Sequence, residues 1–245
     1  MFHVKPRRPD DREGCEAIGS IVATRIEVAF PGLGLPGSAP KIAAKIGRFA
    51  TILALWGTKI NLTADPTDHD ETTFHVLDSL APAWLAAMHP ETPLGRSFGK
   101  GRRMLDVGSG AGFPGLILAA VTGIDTVLVE SRRKRANFLR AAAATMGLPR
   151  VTVIHSWATP ADIPSGFDLI TARAVGRHRE FFELAAAALK PGGIAMLYLS
   201  MEQPIDGEAA LACGLVELPC MQYEVSRGED TLRRVLGLWL KATSA

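Results

Sequence analysis

Arg103-Met104-Leu105-Asp106-Val107-Gly108-Ser109-Gly110-Ala111-Gly112-Phe113-Pro114-Gly115 is the stretch on which the fold turns. A short apolar run meets a carboxylate, then glycines at alternate positions, then a proline, as a strand does when it turns into a helix around a nucleotide-type ligand. Gly108, Gly110 and Gly112 carry no Cβ, so the backbone can turn sharply and a ligand can come close to it. Gly110, Gly112 and Gly115 also satisfy G-x-G-x-x-G, the dinucleotide fingerprint, which keeps a NAD-dependent oxidoreductase open. Two residues favour another ligand. Pro114 stands where the helix begins and lacks an N–H that a pyrophosphate would use. Asp106 ends the strand beside the turn, where a carboxylate suits a cation. S-adenosylmethionine carries a sulfonium and an ammonium and no phosphate, so Asp106, Gly108, Gly110 and Gly112 are read as its binding turn.

The next acid fits the same ligand. Thr126 to Val129 is β-branched and apolar and leads to Glu130, close to the roughly 20-residue spacing at which an acid accepts hydrogen bonds from a ribose. Glu130 could also cap the helix that starts near Ser131, and the two roles are compatible.

Length and composition leave room for this core and little else. With 245 residues, 47% of them hydrophobic, the chain can bury one substantial α/β domain and a smaller appendage. No apolar run approaches the roughly 18 residues that a membrane span needs, and the opening residues lack the apolar segment of a secretory signal, so a cytoplasmic place is expected. Cys15, Cys213 and Cys220 are odd in number and not spaced as metal ligands, which predicts free thiols and no metal site. A net charge of +2 does not by itself imply nucleic acid. Residues 131–140, however, hold Arg132, Arg133, Lys134, Arg135 and Arg140 with no acid among them. Such a run is either a solvated helix face or a face that meets phosphate.

Organisation along the chain suggests an N-terminal helical extension over 1–100 and a Rossmann-like domain over 101–245, hinged at Gly99-Lys100-Gly101. Phe30 to Gly37 is dense in Gly and Pro, which forbids a helix there and leaves residues 1–40 unassigned. Ile42, Ile46, Phe49, Ile52, Leu53 and Trp56 recur at helical steps, predicting a helix from Lys41 to Trp56. A second runs from about Glu71 to Met88. Beyond the hinge the pattern predicts strands at 103–107, 126–130, 151–155, 167–172 and 194–199. Helices are expected at 114–121, 132–146 and 178–190, the last stopped by Lys190-Pro191-Gly192-Gly193. Val216–Val225 and Val235–Leu240 would pair as a terminal hairpin. The fold class is therefore α/β, a mostly parallel seven-stranded sheet with an antiparallel C-terminal edge.

Several acceptors can be weighed on the residues. Amine methylation needs Asn or Asp followed by Pro-Pro-aromatic after the fourth strand, whereas that strand ends Thr171-Ala172-Arg173-Ala174. Cytosine C5 needs a thiolate nucleophile, and Pro219-Cys220 lies in the wrong place, after the fifth strand. A catechol-type acceptor would need metal-binding carboxylates that are not evident. Guanine N7 has a free lone pair and needs no base, so alignment alone supplies much of the effect.

Leu55-Trp56-Gly57-Thr58-Lys59-Ile60-Asn61-Leu62-Thr63-Ala64, His75-Val76-Leu77-Asp78-Ser79-Leu80 and the glycine turn, with Glu130 to Arg135, Phe138-Leu139 and Thr171 to Ala174, together resemble the RsmG (GidB) family over about residues 45–200. The resemblance implies a class I S-adenosylmethionine-dependent methyltransferase that modifies guanine N7 in bacterial 16S ribosomal RNA; naked RNA and a small-subunit assembly particle both stay open as the substrate, and a monomer is expected. It implies that Gly108 and Phe113 contact the cofactor, that Ala158 and Thr159 flank its adenine, and that Arg173 sits beside it. Asn61, His75, Asp78, Lys134 and Arg135, with Lys59 and Arg133, become candidates for shaping the site or holding RNA. Asn61 could equally brace a turn, and His75 with Asp78 could be a satisfied cluster joining the helices to the core. Three features depart from the family pattern: Leu199-Ser200-Met201 replaces a common Leu-Lys-Gly, Glu130 replaces a common Asp, and residues 1–40 lack a counterpart. No catalytic residue is nominated. A non-catalytic RNA-binding or assembly protein that keeps the pocket remains the alternative from another class.

Overall fold

The computed structural model describes residues 12–29, 38–173, 178–202 and 206–243. The Gly/Pro stretch from Phe30 to Gly37 and Ala174 lie outside the described residues. Five parallel strands, β1 (Arg103–Val107), β2 (Asp125–Val129), β3 (Val151–Ile154), β4 (Phe167–Arg173) and β5 (Leu189–Ser200), are joined by a C-terminal hairpin of β6 (Leu215–Arg227) and β7 (Asp230–Lys241). Their order is β3-β2-β1-β4-β5-β7-β6, with β7 antiparallel to both β5 and β6. This is the seven-stranded α/β arrangement expected from the alternating pattern.

The helices are α1 (Arg12–Ala29), α2 (Ala39–Gly57), α3 (His69–Met88), α4 (Pro93–Ser97), α5 (Gly115–Thr122), α6 (Arg133–Met146), α7 (His178–Ala188) and α8 (Gly207–Ala212). Most boundaries fall within two residues of the pattern-based ones. The helix expected to reach 190 ends at Ala188 instead, and β5 begins at once. Its first pair, Phe167 with Leu189, is followed by a register shift before Leu169 meets Ile194. Gly193 makes that shift possible, because a Cβ there would lie 3.0 Å from the Phe167 carbonyl oxygen.

The sheet divides two apolar layers. Leu105, Phe167, Ile170 and Phe182 pack with Trp239 on one face. On the other, Met104, Leu169 and Met196 share a single continuous core with Val22, Phe49 and Leu80 from α1, α2 and α3. The turn at 99–101 does exist, with Gly99 and Gly101 at φ 121 and 82, but the core runs across it. The N-terminal helices are therefore packed as part of one apolar interior, not as a separately buried unit.

Candidate functional site

The order of strands reverses between β1 and β4, and in open α/β sheets the carboxyl ends at such a point form a crevice. A cleft of about 640 Å³ opens there, lined in part by Gly108, Glu130, Arg135, Trp157, Ala158 and Phe181, a volume in the range of small-molecule sites. Gly108 lines it, and the turn it opens holds three glycines in the left-handed region: Gly108, Gly110 and Gly112 have φ of 68, 52 and 90, a region that L side chains enter only with strain. A Cβ at Gly108 would meet no protein atom within 4 Å, so the space beside it is open for a ligand. Gly112 is different, because its Cβ would strike Leu116 at 2.5 Å. Its lack of a side chain serves packing of the turn against α5.

Glu130 is buried just beyond β2. Its carboxylate accepts the Gly110 N–H at 3.0 Å and the Arg132 N–H at 2.7 Å. It thus clamps the glycine turn and also serves the start of α6, where the N-cap residue Arg132 offers no side-chain cap. Each oxygen keeps a further lone pair, and Glu130 lines the cleft. Changing Glu130 to Gln should weaken binding of S-adenosylhomocysteine by roughly 1–3 kcal/mol, since an amide N–H would face a donor. Calorimetry that finds a change of only a few tenths would place the carboxylate outside the ligand's reach.

Asp106 is also buried, at the end of β1 and next to Gly115, where a Cβ would come within 2.6 Å of its Oδ2. Burial pushes this carboxyl up to about 7, and Oδ2 has no hydrogen-bond partner. A cation nearby would favour the charged form.

Beneath the turn lies a polar cluster that draws on four elements. Asp78 of α3, with no exposed surface, accepts from the Tyr223 hydroxyl at 2.6 Å and pairs with Arg173 at 3.1 Å and Arg234 at 3.4 Å. Arg173 also donates to His75 Nδ1 at 2.8 Å. Burial, with the nearby Arg173, Arg227 and Arg234 charges, holds His75 down to about 3. The neutral ring must then carry its proton on Nε2, which faces Glu71 at 3.2 Å, and Arg227 closes the far side of Glu71. The His75 ring packs on Phe113 with centroids 5.2 Å apart, and Phe113 meets Phe49 edge-on at 5.2 Å.

The structure separates the sequence candidates accordingly. Gly108, Glu130, Arg135 and Ala158 share the cleft, and Gly110 is tied to it through Glu130. Phe113 is turned into the core. Thr159 is exposed, with its hydroxyl given to Asp162. Arg173, His75 and Asp78 belong to the polar cluster, and an Asp78 without exposed surface cannot touch RNA in this conformation. Arg135 gives its Nε and Nη2 to the Asn61 carbonyl at 3.2 and 2.9 Å, so it bridges α6 to the loop after α2. Lys59, Asn61, Arg133 and Lys134 are exposed, with Lys59 and Lys134 lining a neighbouring cleft beside Trp56.

Trp157, Phe181 and Leu184 also line the cofactor-sized cleft and were not read from the sequence. Trp157 is 75% exposed, an unusual position for a tryptophan and its only local signal. No disulfide joins Cys15, Cys213 or Cys220. Asp68, His69 and Asp70 offer three ligand atoms within 4.8 Å, but Asp68 caps α3 and Asp70 pairs with Arg25.

Comparison with known proteins adds the rest. The model of the family described as GidB, rRNA small subunit methyltransferase G, matches residues 42–210. A Polaromonas naphthalenivorans protein named ribosomal RNA small subunit methyltransferase G is 34% identical over 80% of this chain and 85% of its own length. A Rhodospirillum centenum protein of the same name is 36% identical over 72% and 73%. Among solved structures, a protein described as a sarcosine dimethylglycine methyltransferase from Galdieria sulphuraria aligns with a TM-score of 0.56 at 14% identity, covering 71% of this chain and 88% of that one. That likeness concerns the fold alone, while the sequence match goes further: this chain belongs to the GidB family of rRNA small subunit methyltransferase G proteins.

Proposed function

We propose that the protein transfers a methyl group from S-adenosylmethionine to N7 of a guanine in 16S ribosomal RNA. The observation that carries this reading is the cleft at the β1/β4 reversal, lined both by Gly108, with open space where a Cβ would be, and by the buried Glu130. The residues fit the donor. Glu130 has lone pairs left for ribose hydroxyls, Gly108 leaves room for close approach, and Ala158 and Phe181 offer apolar walls for a base. When bound, the donor supplies an electrophilic methyl on a sulfonium.

The protein's part is then to orient and to exclude water. N7 attacks with its own lone pair, so no side chain has to remove a proton, and holding two reactants in line accounts for much of the acceleration. The test is to treat small-subunit particles that lack the modification with the protein and labelled S-adenosylmethionine, then map the label. Methyl on a guanine N7 of 16S RNA is the expected result, whereas label on another atom or none at all would overturn the reading.

RNA would enter past α6. Arg133 and Lys134 are exposed at its first turn, where the helix dipole disfavours cations and an external anion would stabilise them. Changing both to Ala should flatten the salt dependence of RNA association by roughly 0.7–0.9 per lost contact on a log–log plot and leave cofactor affinity in place. An unchanged slope with normal methylation would move the RNA surface elsewhere. Arg135→Ala is the contrasting variant, because it releases the Asn61 carbonyl and should disturb the glycine turn more than the salt slope.

A further inference from the structure

The amino ends of the parallel strands form a second charged surface, at the opposite end of the sheet from the cofactor cleft. Arg150 precedes β3, Asp125 opens β2, Arg102 precedes β1 and Arg103 opens it, Asp168 lies early in β4 and Lys190 early in β5. Part of this row neutralises itself: Arg150 pairs with Asp125 at 3.5 Å, and Arg102 and Lys190 share Asp168 at 3.0 and 2.8 Å. The rest does not. Arg103 spends its guanidinium on the Ser165 and Gly166 carbonyls and on the Phe167 ring face, so its charge meets no carboxylate. Arg96, Lys100 and Lys45 line the three clefts of this end, of about 440, 540 and 410 Å³, and none forms an ion pair with a described residue.

Seven cations therefore line these clefts against two carboxylates. That surplus of five exceeds the net +2 of the whole chain, so this surface is one of two local concentrations of positive charge, the other being the basic run of α6, and the rest of the molecule is net negative. Strands lie about 4.8 Å apart, and the row across five of them spans roughly 19 Å, long enough for several phosphates of one strand. Such a surface attracts polyanions over distances comparable to the Debye length, about 8 Å in physiological salt.

We propose that this underside is a second phosphate-binding surface for the ribosomal RNA of the substrate, separate from the entry past α6. It rests on the rRNA reading above and deepens it. A folded RNA particle touches the protein at both ends of the sheet, with the target guanine at the carboxyl end and a neighbouring RNA segment held at the amino end by charge. A short RNA carrying only the target sequence reaches one surface, and an intact particle reaches both.

The test neutralises the two exposed cations that have no structural partner, Arg96→Gln with Lys100→Gln. The expected result is a several-fold rise in KM for the small-subunit particle at 0.15 M salt with kcat unchanged. The salt dependence of binding to deproteinised 16S RNA should flatten by roughly 0.7–0.9 per lost contact, while a short target RNA should be bound as before. Thermal midpoint and S-adenosylhomocysteine affinity serve as controls for folding. An unchanged KM and an unchanged slope would overturn the proposal. Weaker binding to particles with an unchanged slope on deproteinised RNA would overturn it too, in favour of an acidic ribosomal protein as the partner. If the wild type methylates no particle, the activity reading fails instead, and the slope on deproteinised RNA still decides what the underside binds.

Discussion

Gly110→Val should fold and yet lose at least 100-fold in affinity for S-adenosylhomocysteine. A Cβ at this position has its nearest neighbours, the Gly108 carbonyl oxygen and an Arg135 nitrogen, at 3.7 and 3.8 Å, so the first side-chain carbon forces no clash, and the γ-carbons meet only a carbonyl and the end of a flexible arginine. The backbone is the difficulty, since φ is 52. A β-branched residue held there costs roughly 1–3 kcal/mol, which a domain of ordinary stability can absorb. The turn relieves that strain by rotating, and rotation withdraws the Gly110 N–H from Glu130. The carboxylate that should receive the ribose and the backbone that should lie beside the donor then move together. Calorimetry on the folded variant checks this, and wild-type affinity would remove the glycine turn from the ligand site.

Asp78→Ala should cost roughly 3–5 kcal/mol of stability, the usual loss when one partner of a buried ion pair is removed and the other is left. Here two guanidinium groups are left, Arg173 and Arg234, with side chains only 16% and 21% exposed, together with the Tyr223 hydroxyl. For a chain of this length the thermal midpoint should fall by about 10 °C. Because Arg173 also holds His75, whose ring packs on Phe113 of the glycine turn, cofactor affinity should fall as well. A midpoint within 2 °C of the wild type would mean that the cluster does not tie α3 to the sheet.

Both results depend on residues that were unequally legible. The glycine turn and Glu130 could be read because a cofactor loop is local: its residues are near one another in sequence, and each type has a conformational or chemical reason to be there. Asp78 gave only half of its meaning. Its partners Tyr223 and Arg234 lie 145 and 156 residues away, on a hairpin whose alternation announces strands but not what they touch. Helix α1 was missed for another reason. Its apolar face, Cys15, Ile18, Val22 and Ile26, has helical spacing, but the Gly/Pro stretch from Phe30 to Gly37 left the whole of residues 1–40 unassigned. The structure uses Gly19 to bring two helices into contact: a Cβ there would fall 2.6 Å from the Gly47 carbonyl oxygen of α2, and one at Gly47 would fall 2.8 Å from that of Gly19. A residue that weakens a helix in isolation here permits a crossing too close for any side chain. Trp157 escaped for want of any periodic context.

The hairpin that supplies Tyr223 and Arg234 also leaves β6 as the outermost strand on its side of the sheet. An outermost strand is a row of spare hydrogen-bonding groups, and 13 residues of it would invite a neighbouring molecule to add a strand of its own. The pairing of β6 with β7 slips between Leu218 and Met221, and the two residues in the gap are Pro219 and Cys220. The slip bends the strand, and the proline leaves it one donor short. An incoming chain would find no unbroken ladder longer than the segment on either side. The Pro-Cys step that the sequence offered as a misplaced nucleophile thus sits at the break in the edge ladder.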